Sequence, residues 1–223
     1  MILVTGAAGV LGHAVVRRLS REGLVVVAVD FRTTLPDAGQ AYSVGDVDLA
    51  DPAGCARLLR TLTDRGVDTL HGLVNVAGGF TWETLADGSW DAWERMYRIN
   101  LQSAHHVIFN ALPLLRRGRA SIVNVGAAAS ARAGAGMGAY TASKSAVARL
   151  TESLAAEEAA AGIRANAVLP SIIDTPQNRT DMPDADFTRW VTPAELAEVI
   201  AFLLSPAASG VSGACIPVTG RVF

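Results

Sequence analysis

Ile2-Leu3-Val4-Thr5-Gly6-Ala7-Ala8-Gly9-Val10-Leu11-Gly12 opens the chain with a short apolar run, three spaced glycines and then helix-like sequence to Arg21. Gly6 permits a tight turn and Gly9 lets backbone N–H groups come close to a ligand. Gly12 allows the helix to pack on the strand, so that its N-terminus points at a pyrophosphate. Placement between the first strand and the first helix, more than the glycines themselves, carries this reading. The expected cofactor contacts here are Gly6, Ala8, Gly9, Val10, Leu11 and Gly12.

Outward from that turn, short apolar runs alternate with longer helical stretches. After Ile2–Val4, the runs Leu24–Val29, Ala41–Asp46, Leu70–Val76, Ala120–Val125, Ile163–Leu169 and Ala214–Val218 read as strands. Between them lie helices at Val10–Arg21, Pro52–Arg65, Asp91–Arg116, Gly138–Ala161 and Thr192–Ser205. Asp51-Pro52 supplies an N-cap with proline at N1, and Thr192-Pro193-Ala194-Glu195 a capping box. The alternation predicts an α/β fold, a doubly wound parallel sheet of about seven strands with helices on both faces, as a single domain over residues 1–223. Pro170–Val191 is the one long irregular stretch, expected to be a packed functional loop over a site.

Composition excludes several classes. Of 223 residues, 50% are hydrophobic and 18% charged, which argues for a large core and against disorder. Lys and Arg total 19 against 21 acidic residues, and no basic stripe offers itself to nucleic acid. No apolar stretch approaches the ~20 residues of a membrane span. Cys55 and Cys215 lie far apart without ligand-like histidines, so neither a disulfide framework nor a metal site is expected. His13, His71, His105 and His106 show no metal spacing either. Met1–Val4 has no basic flank and runs into glycine-rich sequence, which is not a signal peptide; a cytoplasmic protein is expected.

Asp30 ends the second strand, 18 residues past Gly12, where a carboxylate accepts hydrogen bonds from ribose hydroxyls and repels a 2′-phosphate. NAD is therefore expected over NADP, with NADH preferred to NADPH, although Arg32 softens the preference. Asp48 and Leu49 are candidates to flank the adenine, with Asp46 competing. Further on, Tyr140-Thr141-Ala142-Ser143-Lys144 sets a phenol and an ammonium on one helix face. A free phenol titrates near ~10; the lysine cation and an oxidised nicotinamide are both expected to lower that value, making Tyr140 a proton donor or acceptor.

With these residues the chain resembles the short-chain dehydrogenase/reductase family over essentially its full length. The matching positions are Gly6, Gly9, Gly12, Asp30, Asn75-Val76-Ala77-Gly78, Asn100, Tyr140, Lys144 and Pro170…Thr175-Pro176. The resemblance implies that Asn75, Ala77 and Gly78 line the cofactor and steady the sheet. It implies that Asn100 joins a proton relay through Lys144 and water, and that Pro170, Ile172 and Thr175 lie against the nicotinamide carboxamide. It also implies a homodimer or homotetramer built through the helices after the fourth and fifth strands, acting on a small-molecule substrate.

Two departures stand out. The glycines are spaced Gly-x-x-Gly-x-x-Gly where family members of this length usually have Gly-x-x-x-Gly-x-Gly. More sharply, the family's catalytic serine falls at Ala127, and Asn124–Ala129 contains no hydroxyl; Ser130 is the candidate to swing in. The dihydropteridine-reductase branch of the family also lacks that serine, and this chain is similar to it in three places. These are Val76-Ala77-Gly78-Gly79-Phe80, the serine-free Gly126-Ala127 with Gly136-Met137, and the segment from Leu169 to Trp190. A quinonoid pterin accepts hydride readily and needs a proton donor more than a second carbonyl-polarising group. Phe80, Trp82, Met182, Phe187 and Trp190 either box such a flat heterocycle or anchor the loop to the core. Trp90 and Trp93 suit packing or a subunit interface better than a ligand. The competing reading, a catalytically weak NAD-binding sensor or scaffold, is opposed by the retention of Tyr140, Lys144 and Asn100.

Overall fold

The computed structural model describes residues 1–222. Seven parallel strands form one sheet in the order β3-β2-β1-β4-β5-β6-β7. They are β1 (Ile2–Thr5), β2 (Val26–Val29), β3 (Tyr42–Val44), β4 (Gly72–Asn75), β5 (Ser121–Val125), β6 (Arg164–Pro170) and β7 (Cys215–Val218). Register is continuous across the centre, with Thr5 level with Val29 on one side and with Asn75 on the other. Strand order reverses between β1 and β4, which leaves a crevice above their C-terminal ends.

Helices cover both faces. On one, Leu11, Val15 and Leu19 of α1 (Val10–Arg21) share a core with Leu196, Ile200 and Leu203 of α7 (Pro193–Leu204). On the other, α2 (Pro52–Asp64), α4 (Ser103–Gly118) and α5 (Gly138–Glu157) bury Leu58, Leu62, Val107, Leu115 and Leu154 against the sheet. Local signals start α2 and α7 where they were expected. Asp51 accepts hydrogen bonds from the Ala53 and Gly54 N–H groups, and the Thr192–Glu195 capping box closes in both directions.

The differences from expectation have physical causes. Gly23 and Leu24 donate back to the Ser20 and Leu19 carbonyls, so Leu24 closes α1, while the Val25 carbonyl accepts the Ile2 N–H and leads into β2 at Val26; the side chains of Leu24 and Val25 remain exposed. The expected helix Asp91–Arg116 is α3 (Trp90–Met96), a π-helical stretch at Tyr97–Gln102, and then α4. α5 stops at Glu157 and a 3₁₀ turn follows at Ala159–Ala161. Pro170–Val191 is not irregular throughout. Thr175 accepts from the Asn178 N–H and, with Pro176 at N1, starts α6 (Pro176–Asp181); a 3₁₀ turn follows at Phe187–Arg189. No helix among the described residues is long and apolar enough to cross a membrane, and no group of His, Cys, Asp or Glu among them has a metal-holding arrangement.

Candidate active site

A cleft of about 2170 Å³ runs over the C-terminal ends of the central strands. Pockets for a single drug-sized ligand occupy roughly 300–1,000 Å³, so this one has room for a dinucleotide and a second molecule.

Its floor is the first turn. Gly6 adopts φ +64°, and a Cβ at Gly12 would stand 2.0 Å from the Gly6 carbonyl oxygen, so the helix meets the turn with no space for a side chain. Gly6, Gly9, Val10, Leu11 and Gly12 line the cleft. No side chain caps α1, and its N-terminal N–H groups face a site that suits a pyrophosphate. Ala8 lies outside the lining; its N–H donates to Asp30 Oδ2 at 2.9 Å. Asp30 Oδ1 accepts the Arg32 N–H at 3.0 Å, so this largely buried carboxylate, which lines the cleft, also braces the turn. An ionised carboxylate has about four acceptor positions, and those left over are available to hydroxyl donors. The Arg32 guanidinium reaches the Ala8 carbonyl oxygen at 3.3 Å beside it. Asp48 and Leu49 line the cleft further along; Asp48 Oδ2 pairs with Arg98 at 2.7 Å, a partner the sequence did not suggest. Asp46 also lines the cleft, and one of its carboxylate oxygens accepts from the Thr33 hydroxyl at 2.7 Å.

In the loop after β4, Ala77 and Gly78 reach the cleft, but Asn75 at the strand's end does not. Asn75 Nδ2 donates to Asn124 Oδ1 at 2.9 Å, and Asn124 Nδ2 donates to Thr151 Oγ1 at 2.9 Å, a buried chain joining β4, β5 and α5. Asn100 sits in the π-helical stretch, buried and outside the lining. Its Oδ1 accepts the Gly79 N–H at 2.9 Å, while Nδ2 donates to the Gly79 carbonyl at 3.1 Å and to Ser143 Oγ at 2.9 Å. Its side chain is thus a clamp between the loop after β4 and α5.

Tyr140 and Lys144 both face the cleft from α5. Their electrostatics run against the expectation of a lowered phenol. Lys144 Nζ donates to the Val125 carbonyl oxygen at 2.8 Å rather than to the phenol, and burial pushes the lysine down to about 8. Burial pushes the Tyr140 phenol up to about 12, keeping it protonated at neutral pH. The Phe80 ring meets the Tyr140 ring edge to face, centroids 4.9 Å apart.

Ala127 lines the cleft where the family serine is expected. Ser130 does not replace it. The 3₁₀ turn Ala128–Ala131 turns its hydroxyl back onto the Ala127 carbonyl, 2.6 Å away and off the cleft. Pro170, Ile172, Thr175 and Met182 line the cleft with Phe80 and Trp82. Phe187 and Trp190 do not. Trp190 is buried, Phe187 packs on it at 4.8 Å, and the Arg179 guanidinium covers Phe187 at 5.0 Å while pairing with Asp174 through two hydrogen bonds. These two aromatics anchor the segment.

The sequence profile described as enoyl-(acyl carrier protein) reductase matches residues 6–220. The fold superposes with a TM-score of 0.89 on a short-chain type dehydrogenase/reductase from Mycobacterium ulcerans, 27% identical, covering 99% of this chain and 88% of that one. The chain belongs to the short-chain dehydrogenase/reductase family. Among its dehydrogenase/reductase relatives, meso-2,3-butanediol dehydrogenase of Serratia marcescens is 30% identical over 99% of this chain and 93% of its own length. Cis-4-hydroxycyclohexanecarboxylate dehydrogenase of Sinomonas cyclohexanicum is 36% identical over 98% and 94%. The family is one of NAD(P)-dependent oxidoreductases, and the tight glycine turn, the uncapped helix and the size of the cleft fit that cofactor.

Proposed function

We propose that the chain is a cytoplasmic reductase that uses NADH in preference to NADPH and reduces a small conjugated carbonyl or imine, quinonoid dihydropteridine being the candidate substrate. The observation that carries this reading is a buried phenol, Tyr140, held protonated in the cleft while position 127 offers no second donor. The bound nicotinamide supplies the hydride. Tyr140 gives its proton to the substrate heteroatom on which negative charge gathers, and the nearby Lys144 cation favours the phenolate left behind. Lys144, bonded to the Val125 carbonyl, and Asn100, clamping Gly79 and Ser143, hold α5 and the β4 loop in place around the phenol. Without a hydroxyl at Ala127, an isolated ketone lacks one polarising donor, a deficit that costs ~10²–10³ in rate for carbonyl chemistry. A conjugated acceptor depends on that donor less. Phe80, Trp82 and Met182 offer such a flat substrate apolar walls.

The carboxylate of Asp30 supports the preference for NADH through its repulsion of a 2′-phosphate. Two unpaired thiols, Cys55 and Cys215, suit a reducing compartment. Exposed Phe109 on α4 supports assembly into a homodimer or homotetramer through that helix.

The test is NADH oxidation with quinonoid dihydropterin against a panel of ketones, in the wild type and in Tyr140→Phe. Loss of ~10² or more of turnover in the variant, with NADH binding retained, is the expected result. If the wild type binds NADH yet reduces no carbonyl, imine or pterin, the reading of a sensor or scaffold, favoured by Ala127 and the turned-away Ser130, replaces this one.

A further inference from the structure

Trp82 lines the cleft while 61% of its surface stays open to solvent. An indole that exposed is ordinarily free to change rotamer, but this one is held. Its Nε1 donates to the Ala135 carbonyl oxygen at 3.0 Å. The adjoining Glu83 N–H donates to the Gly136 carbonyl oxygen at 2.8 Å. The ring rests on Gly136, where a Cβ would stand 2.3 Å from Cε2 and 2.4 Å from Nε1. Gly136 also has φ +72°, so the position is closed to a side chain on two counts. The loop after β4 and the loop before α5 thus fix the orientation of an indole that buries little of itself. Core packing does not account for that arrangement. A rigid aromatic face presented to a binding cleft does, because a ligand that stacks on it costs no rotamer entropy.

We propose that Trp82 is a specificity-determining platform that takes the flat apolar end of the substrate, the end remote from the atom that Tyr140 protonates. The inference rests on that role of Tyr140 only for the substrate's orientation. Phe80, beside Tyr140 at 4.9 Å, continues the apolar wall between the two. The substrate class that follows is a carbonyl or imine compound bearing an aryl or other planar group, in preference to a short aliphatic one.

The test separates binding from turnover. With the protein loaded with NAD⁺, ketones cannot be reduced, and calorimetry reads their affinity alone. Butan-2-one and 4-phenylbutan-2-one differ by one terminal phenyl group, so the ratio of their dissociation constants isolates the platform. In Trp82→Ala the advantage of the phenyl compound is expected to fall about five-fold, as for one lost aromatic contact, with butan-2-one unchanged. Trp82→Phe keeps part of the advantage. Gly136→Ala, which displaces the indole, loses it likewise, and Trp82→Ala/Gly136→Ala binds no worse than Trp82→Ala alone. An unchanged ratio in Trp82→Ala overturns the proposal, as does a parallel loss for butan-2-one or a wild type with no phenyl advantage. So does a Trp82→Ala protein whose subunits separate on gel filtration while the phenyl advantage persists, since the indole then serves an interface. A phenyl advantage in a wild type that reduces nothing with NADH leaves the platform standing and removes the Tyr140 reading.

Discussion

Replacing Lys144 by methionine is expected to stabilise the fold at neutral pH while removing activity. Lys144 is 5% exposed, and burial has moved its pKa from 10.5 to about 8. At ~1.4 kcal/mol per pH unit, holding the charged form inside costs about 3 kcal/mol below pH 8. Methionine removes that cost but leaves the Val125 carbonyl without its donor, a loss of about 1 kcal/mol, so the net gain near pH 6.5 is about 2 kcal/mol. For a chain of this length that corresponds to roughly 4–8 °C in melting temperature. The sign depends on pH. Between 8 and 10.5 the unfolded wild type binds more protons than the folded one, so wild-type stability rises with pH through this window relative to the variant. The variant's advantage therefore shrinks from pH 8 upward and reverses between about pH 9.5 and 10, once the cost of the charge falls below that of the lost hydrogen bond. Urea unfolding of both proteins from pH 6.5 to 10.5 measures this difference directly. A variant less stable than wild type at pH 6.5, or a difference that does not change with pH, refutes the reasoning.

Ala127→Ser restores a donor beside Tyr140 and should raise kcat/KM for simple ketones by up to ~10² while leaving quinonoid dihydropterin nearly unaffected; an equal gain for both would count against the account of the missing hydroxyl. Asp30→Ser removes the acceptor of two backbone N–H groups and the charge facing a 2′-phosphate, so KM for NADH should rise about ten-fold while NADPH improves relative to it, read by steady-state kinetics with each cofactor. Gly12→Ala forces a Cβ to within 2.0 Å of the Gly6 carbonyl unless the turn shifts, so fluorescence titration should find NADH binding weakened more than about ten-fold, together with a lower melting temperature.

Where the local chemistry was self-contained, the sequence was legible. Val10–Arg21 matched because Gly9 and Gly23 bound it, and Pro193–Leu204 began as read because its capping box needs no tertiary partner. Leu24 reads as strand because apolar identity cannot distinguish a buried ladder from a residue that closes a helix. The π-helical stretch Tyr97–Gln102 carries no composition or period of its own. α6 was signalled by Thr175-Pro176, but its polar six residues have no apolar stripe to extend that signal. At the site, Tyr140, Lys144 and the glycines were visible through fixed spacing. The direction of their pKa shifts was not, because burial and the Val125 carbonyl belong to the packed molecule. Phe187 and Trp190 were indistinguishable from Phe80 and Trp82 by residue type, and only packing sorted the anchors from the cleft walls.

The forked amide of Asn100 fastens Gly79, from the loop after β4, to Ser143 of the helix that carries the phenol. Those two parts of the chain therefore behave as one mechanical piece. A loop grafted from a relative will bring Phe80 into position only if it preserves the spacing to that joint, and a graft that strains the joint will be felt first as misplacement of Tyr140. Redesign of substrate range in this scaffold is best confined to cleft-lining side chains that do not belong to the joint, Trp82 and Met182 before any other.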